Sequence, residues 1–202
     1  AIGAIALVGT AYSFKFVWAP LIDRVPPPLP LGRRRGWGIT IPMLLAGAIL
    51  ALGTCDPKPN LSRMAILAGV VAFLSASQDI VIDAWRVESL TMDQQAPGAA
   101  MIQTGYRIGM LASGAGALFI AASGGWFAAY ATMAALVGVG MLVFLFGPEP
   151  KVPPEKSYVA QSVWQTVIHA LFKAVVEPFR DFMRKRLWVG ILREIFLYKM
   201  GE

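Results

Sequence analysis

Four charged residues stand inside long apolar stretches of this 202-residue chain, at Lys15, Asp79, Asp83 and Arg107. A charge in the middle of a bilayer costs at least about 2.5–3.5 kcal/mol, so such a residue usually faces the interior of a helix bundle and has a partner there. Asp79 and Asp83 are four residues apart and share one helix face, where two ionised carboxylates repel each other. A nearby cation offsets that repulsion, and a carboxylate in such a place can load and release a proton as the cation moves.

The spacing of these charges leaves two interpretations open. Either the acidic pair couples proton movement to transport, or the four residues form a permanent salt-bridge network that holds three helices in register. The polar residues Gln78, Gln103 and Tyr106 lie on the same helices. Their side chains offer hydrogen bonds to a sugar or peptide group, or equally to a neighbouring helix.

The elements that must hold these residues are predicted to be membrane-spanning helices. Hydrophobic residues make up 56% of the chain and charged residues 15%, an apolar excess too large for a soluble core. A spanning helix needs about 20 mostly apolar residues. Five segments are predicted to span a bilayer, at residues 1–21, 37–53, 64–85, 99–123 and 126–146, and a sixth begins at residue 187.

We attribute the net charge of +6 to the orientation of the chain in the membrane, because Lys and Arg collect in the links on one side of the spans. We place that side, which contains loop 22–36 and segment 148–186, in the cytoplasm. Apolar residues at three-to-four spacing between 163 and 179 predict an amphipathic helix. This helix lies at the membrane interface, packs across the cytoplasmic mouth of the bundle or serves as a plain linker. We expect a five-span bundle at 1–147, a cytoplasmic interdomain linker at 148–186 and the truncated start of another span at 187–202. The chain begins and ends within helical patterns, so we expect a piece of a longer protein.

The loop between the first two predicted spans resembles the signature loop of the major facilitator superfamily, G-x-x-x-D-R-x-G-R-R. Asp23-Arg24 and Gly32-Arg33-Arg34-Arg35 carry the pattern, and a proline-rich insertion from Val25 to Leu31 separates them. Three stretches, at residues 14–37, 76–85 and 105–111, resemble the AmpG muropeptide permeases in order and at similar spacing. They read FKFVWAPLIDR with LGRRRGW, then ASQDIVIDAW, then GYRIGML.

The resemblance implies an all-α transmembrane bundle, the N-terminal half of a major facilitator from its second helix into its seventh. It implies import of N-acetylglucosaminyl-anhydro-N-acetylmuramyl peptides by proton symport, for peptidoglycan recycling, at the bacterial inner membrane. Three sets of residues receive roles by this resemblance: proton coupling by Asp79 and Asp83, charge pairing or substrate contact by Lys15, Gln78, Gln103, Tyr106 and Arg107, and gating by a loop that contains Asp23, Arg24, Arg33, Arg34 and Arg35.

The expected partners are the anhydromuropeptide, protons and the lipid bilayer, and the full-length protein is expected to be a monomer. We expect no cofactor beyond the proton gradient, no metal and no nucleic acid. The sequence shows no nucleophile–base pair, phosphate-binding loop or metal-ligand pattern, so it does not indicate an enzyme. Two alternatives remain, a carrier of another bulky anion such as acetyl-CoA and a non-transporting membrane scaffold or sensor.

Overall fold

The computed structural model describes residues 15–19, 22, 25, 27–55, 61–150, 180, 183–184, 188–190 and 193. The regular structure in this part of the chain is helical, without a strand. Four α-helices follow one another: α1 Arg33–Gly53, α2 Leu61–Ser89, α3 Gln95–Leu111 and α4 Ala117–Phe146. Short turns complete the order, a 3-10 turn at Lys15–Val17, another at Met92–Gln94 and a π-helical turn at Ala112–Gly116 between α3 and α4.

Within the described residues, three helical stretches are long and apolar enough to cross a membrane. They are Arg33–Gly53, Leu61–Ser89 and the combined stretch Met92–Phe146, which includes α3 and α4. The expected all-α membrane bundle is therefore confirmed.

The helices α1 and α2 are antiparallel. Arg34 at the start of α1 pairs with Glu88 at the end of α2. The last part of α4 also runs against α1, because Gly38 lies beside Phe144 and Gly53 lies beside Tyr130. One end of the bundle therefore collects the start of α1, the end of α2 and the end of α4. We call it the Arg33 end.

The chain leaves the Arg33 end after α2 and returns to it at the end of α4, so it must reverse direction between them. A straight helix over the 55 residues Met92–Phe146 would run about 80 Å. Gly125 has φ 81° and ψ 168°, which are non-helical angles within α4. Because this region of backbone conformation is open essentially to glycine alone, Gly125 supplies the reversal.

The core lies toward the Arg33 end. Its buried side chains come from the segment before α1 and from α1, α2 and α4, and they are Ile22, Ile39, Ile41, Val81 and Phe144. The ring of Trp85 packs edge-on against Phe144 with centroids 5.5 Å apart. Trp18 packs on Phe73 of α2 at 4.9 Å, and its indole N–H donates to the Ser77 hydroxyl at 3.0 Å. By contrast, α3 contributes no buried residue to this described core.

Two helix starts differ from the sequence-based expectation. The loop expected at 22–36 ends earlier, because Arg33, Arg34 and Arg35 form the first turn of α1 rather than part of the loop. The fourth predicted span, expected from residue 99, begins earlier as α3 at Gln95, so that Pro97 lies in the first turn of the helix. Proline is tolerated there because the first backbone N–H groups of a helix have no intrahelical partner.

Several expectations fall outside the described residues. These are most of the first predicted span, Asp23 and Arg24 of the gating loop, the amphipathic stretch 163–179 and most of the predicted span from residue 187.

The reversal at Gly125 generates a stability prediction. We expect Gly125→Ala to lower the free energy of unfolding by about 1–3 kcal/mol, because alanine is strained at a φ of 81°. Thermal unfolding of the purified protein in detergent measures this loss. Gly138→Ala is the matched control, since it lies within α4 with open space around its Cα. Equal melting temperatures for Gly125→Ala and the unmodified protein would show that the chain does not depend on this turn.

Candidate functional site

Three consecutive arginines occupy the first turn of α1, which contains no acidic residue. The N-terminus of a helix carries the positive end of the helix dipole, so cations there are unfavourable. Two carboxylates from other parts of the chain compensate for this arrangement. We call Arg33, Arg34, Arg35, Glu88 and Glu149 the arginine cluster.

Glu88, one residue before the end of α2, binds two of the arginines. The Arg34 guanidinium donates from Nε to one carboxylate oxygen at 2.8 Å and from a terminal nitrogen to the other oxygen. Arg33 donates to Glu88 at 3.0 Å. The side chain of Arg34 is only 5% exposed, whereas that of Arg33 is 37% exposed. Because the Arg34 pair is bidentate and largely withdrawn from water, it is the stronger of the two contacts.

Glu149, which follows α4, supplies the missing N-terminal cap of α1. Its two carboxylate oxygens accept hydrogen bonds from the backbone N–H groups of Arg34 and Arg35, each at 2.9 Å. The residue at the N-cap position is Gly32, which has no side chain with which to cap the helix. The cap of α1 therefore comes from a residue that is distant in the sequence. It carries a negative charge where the helix dipole favours one.

The end of α4 is bound to the same cluster. The Arg35 guanidinium donates to the backbone carbonyls of Phe144, at 3.2 Å, and of Leu145. The Trp85 indole N–H donates to the carbonyl of Pro148 at 3.1 Å. A cation at a helix C-terminus satisfies carbonyls that have no intrahelical partner. The arginine cluster thus joins the start of α1, the end of α2 and the end of α4.

A second polar site lies between α2 and α3, and we call it the acidic cleft. It is an open cavity of about 430 Å³. Asp79 and Asp83 line it from α2, and Gln103 and Tyr106 line it from α3, with Ile82 and Ile102 as its apolar walls. Tyr106 is 63% exposed. The cleft combines a few convergent polar groups with apolar walls, as small-molecule sites do.

The cleft continues into a polar link between α2 and α3. Asp83 pairs with Arg86 at 3.8 Å, and its side chain remains 56% exposed. Arg86 donates to the side-chain oxygen of Gln95, and the Gln95 amide donates to the carbonyls of Val87 and Leu90. Gln95 at the start of α3 therefore binds carbonyls at the end of α2.

The structure places the other predicted site residues around these two sites. Lys15 lies in the 3-10 turn that contacts α2 and is half-buried, as are Asp79 and Gln78 on α2. Arg107 is exposed on α3 and does not line the cleft, and it has no ion pair with another described residue. The structure thus brings together Asp79, Asp83, Gln103 and Tyr106, and separately Arg33, Arg34 and Arg35.

Sequence reasoning missed Glu88 and Glu149. Both carry a sequence signal, because each acidic residue stands at the end of an apolar span on the side that also holds the arginine run. Glu149 is also flanked by Pro148 and Pro150, which end the helix and restrict the chain around it. A search for carboxylates that balance Arg33–Arg35 would have found both.

Apolar helices of spanning length, joined at one end by a charged cluster, define a multi-pass membrane protein. The chain belongs to the Major Facilitator Superfamily, whose sequence pattern it matches over residues 1–200. The similarity to AmpG-type permeases is also confirmed by relatives. The chain is 45% identical to the anhydromuropeptide permease of Escherichia coli K12 over 205 residues.

Two further relatives align over almost the whole chain. The AmpG 4 protein of Rickettsia felis is 31% identical over 201 residues, and an uncharacterized protein of Haemophilus influenzae is 32% identical over 206 residues. The alignments cover 98% to 100% of this chain but only 39% of the E. coli permease and 47% and 46% of the other two. The chain therefore spans about two-fifths to one-half of the length of these relatives. Membership of a transporter superfamily confirms the expectation that it is not an enzyme.

The burial difference within the arginine cluster generates a second prediction. We expect Arg34→Gln to lower the free energy of unfolding by about 3–5 kcal/mol, because it leaves the Glu88 carboxylate without its bidentate partner. Arg33→Gln removes a more exposed charge and should cost about 0–1 kcal/mol. Chemical unfolding of the two variants side by side measures the difference. Equal losses of unfolding free energy in the two variants would show that greater burial does not make the Arg34 contact stronger than the Arg33 contact.

Proposed function

We propose that the full-length protein imports N-acetylglucosaminyl-anhydro-N-acetylmuramyl peptides by proton symport. The observation that carries the proposal is the acidic cleft, in which two carboxylates four residues apart face polar side chains of a neighbouring helix. The 45% identity to an anhydromuropeptide permease supports the choice of substrate. The proposal places the protein in the bacterial inner membrane, in the recycling of cell-wall fragments.

Asp79 and Asp83 are the proposed proton-coupling residues. They share one face of α2, so binding of a proton by one of them relieves the repulsion between two ionised carboxylates. Asp83 combines an exposed carboxylate with a partner, Arg86, at the long distance of 3.8 Å. Its exposure leaves the Asp83 carboxylate open to water and to a molecule in the cleft, and one long contact of this kind holds it in place only weakly.

The substrate contacts are proposed to come from the wall opposite the acids. Gln103 and Tyr106 are exposed in the cleft and offer an amide, a hydroxyl and a ring face to an amino sugar. Lys15, Gln78 and Arg107 are proposed as charge partners or as contacts to substrate carboxylates. In this fold class, substrates bind between two halves of a bundle near the middle of the membrane.

The arginine cluster contributes Arg33, Arg34 and Arg35 to the proposed gating residues, together with Asp23 and Arg24 of the preceding loop. Its surplus of basic residues supports a cytoplasmic position for the Arg33 end and for segment 148–186. The driving force is the proton gradient, without a cofactor, and the full-length protein is proposed to act as a monomer.

Uptake by the full-length protein in proteoliposomes tests the proposal. We expect a proton gradient to drive accumulation of labelled anhydromuropeptide, and Asp79→Asn and Asp83→Asn each to reduce that accumulation about 100-fold or more, because loss of a proton-transfer group typically costs this much. Asp93→Asn removes an exposed carboxylate outside the cleft and serves as the matched control. Unchanged gradient-driven uptake in both cleft variants would show that Asp79 and Asp83 do not couple proton movement to transport.

A competition experiment separates the alternative functions. Excess unlabelled anhydromuropeptide should block the uptake of the labelled compound, whereas acetyl-CoA should not. Inhibition by acetyl-CoA alone would identify a carrier of a different bulky anion. Absence of uptake of either compound, with the protein folded, would favour a non-transporting scaffold or sensor.

A further inference from the structure

The first residue of α3, Gln95, is hydrogen-bonded to the end of α2 at three points. Its side-chain oxygen accepts a hydrogen bond from the Arg86 guanidinium at 3.2 Å. Its amide nitrogen donates to the carbonyls of Val87 and Leu90, at 3.1 and 2.9 Å. The carbonyls in the last turn of a helix have no intrahelical partner, so one side chain caps α2 and begins α3. We call Arg86, Val87, Leu90 and Gln95 the α2–α3 joint.

The joint satisfies a guanidinium that has few other partners. The Arg86 side chain is 21% exposed, and its contact with Asp83 is long, at 3.8 Å. The Nε atom of Arg86 is buried and has no hydrogen-bond partner in the described part of the chain. Loss of the Gln95 oxygen would therefore leave a largely buried cation with one long contact, which is unfavourable. The electrostatics of Arg86 thus favour a closed joint.

The joint and the acidic cleft belong to one groove between α2 and α3. A cavity of about 240 Å³ lies beside the joint, and it shares Ile82 and Ile102 with the cleft. Leu90 packs closely on α3 at Gly98, where a Cβ atom would clash with the Leu90 side chain. The groove is thus bridged by hydrogen bonds at one end and open at the other, where the cleft lies.

The walls of this groove follow the helical repeat. On α3, Gln103 and Tyr106 lie eight and eleven residues after Gln95, which is about two and three helical turns. These three residues therefore lie on one side of α3. On α2, the two acids of the cleft lie three and seven residues before Arg86, also on one side. The bond between Gln95 and Arg86 therefore turns the polar side chains of the two helices toward each other.

We propose that Gln95 is a positioning residue for the acidic cleft, which holds α3 against α2 so that Gln103 and Tyr106 face the two carboxylates. The proposal rests on the proposed transport function for its consequence, since the alignment affects uptake only if substrate binds in the cleft. Within the described residues α3 contributes no buried side chain, so the bonds at the joint, rather than burial in the core, set its position. Substrate binds only to the fraction of molecules in which the joint is closed.

The test uses the full-length protein with two substitutions at one position. Gln95→Ala removes all three hydrogen bonds, whereas Gln95→Glu keeps the acceptor for Arg86 and loses the two donors. Gln94→Ala is the matched control, because the exposed Gln94 side chain accepts a hydrogen bond from the Thr91 backbone within its own turn. Three quantities are measured: the melting temperature, the KM and maximal rate of gradient-driven anhydromuropeptide uptake, and the hydrogen exchange of backbone amides over residues 90–98 in detergent.

We expect Gln95→Ala to raise the KM of uptake about tenfold, because loss of a hydrogen bond to a charged group changes an equilibrium by about this factor or more. Apparent affinity falls in proportion to the fraction of molecules with a closed joint. Saturating substrate restores the closed form, so the maximal rate should stay within about twofold. Amides over residues 90–98 should exchange faster. Gln95→Glu should give an intermediate KM, and the control should match the unmodified protein.

Each other outcome also has a defined meaning. A folded Gln95→Ala variant with an unchanged KM overturns the proposal, and so does a lower melting temperature and maximal rate at an unchanged KM. If Gln95→Ala does not fold, a raised KM in Gln95→Glu supports the proposal and an unchanged one overturns it. If neither variant folds, Gln95 is a structural residue and the positioning role is wrong. If the unmodified protein transports no anhydromuropeptide, the proposed function fails, while hydrogen exchange still decides whether Gln95 holds α3 to α2.

Discussion

The arrangement on which the rest of the structure depends is a helix that begins with three positive charges. Arg33, Arg34 and Arg35 stand at the positive end of the dipole of α1, without a local cap. Such a start is unfavourable in isolation, and it becomes stable when Glu88 and Glu149 bring two negative charges to it. Because these carboxylates come from the ends of two other elements, the electrostatic requirement of α1 fixes where α2 and α4 must end.

The helix α2 connects this cluster to the acidic cleft. Asp83 and Asp79 lie five and nine residues before Glu88, which corresponds to about 7 and 14 Å along a helix. The end of α2 is held by Arg34, while α3 on the other side of the cleft contributes no buried residue. One wall of the cleft is thus anchored by charge and packing, and the other is lightly packed within the described part of the chain.

The sequence predicts those features that depend on neighbouring residues. Apolar runs predict the long helices, and the four-residue spacing of Asp79 and Asp83 predicts their shared face. It does not predict that Gln103 and Tyr106 lie across from them, since that depends on how α2 and α3 pack.

The sequence-based prediction places the start of α1 at residue 37, whereas the helix begins at Arg33, and the reason again lies in distant residues. Three consecutive cations disfavour a helix that begins at Arg33. A carboxylate that offsets their charge lies 115 residues away from Arg34, at Glu149.

The most direct test of this account is a double-mutant cycle on Arg34 and Glu88. Unfolding free energies are measured for the unmodified protein, Arg34→Gln, Glu88→Gln and the double variant. The cycle isolates the energy of the pair from the other effects of each substitution. The account predicts a coupling energy of about 0.5–3 kcal/mol, the range for residues that share one salt-bridge network. A coupling energy near zero would contradict the claim that this ion pair holds the ends of the helices together.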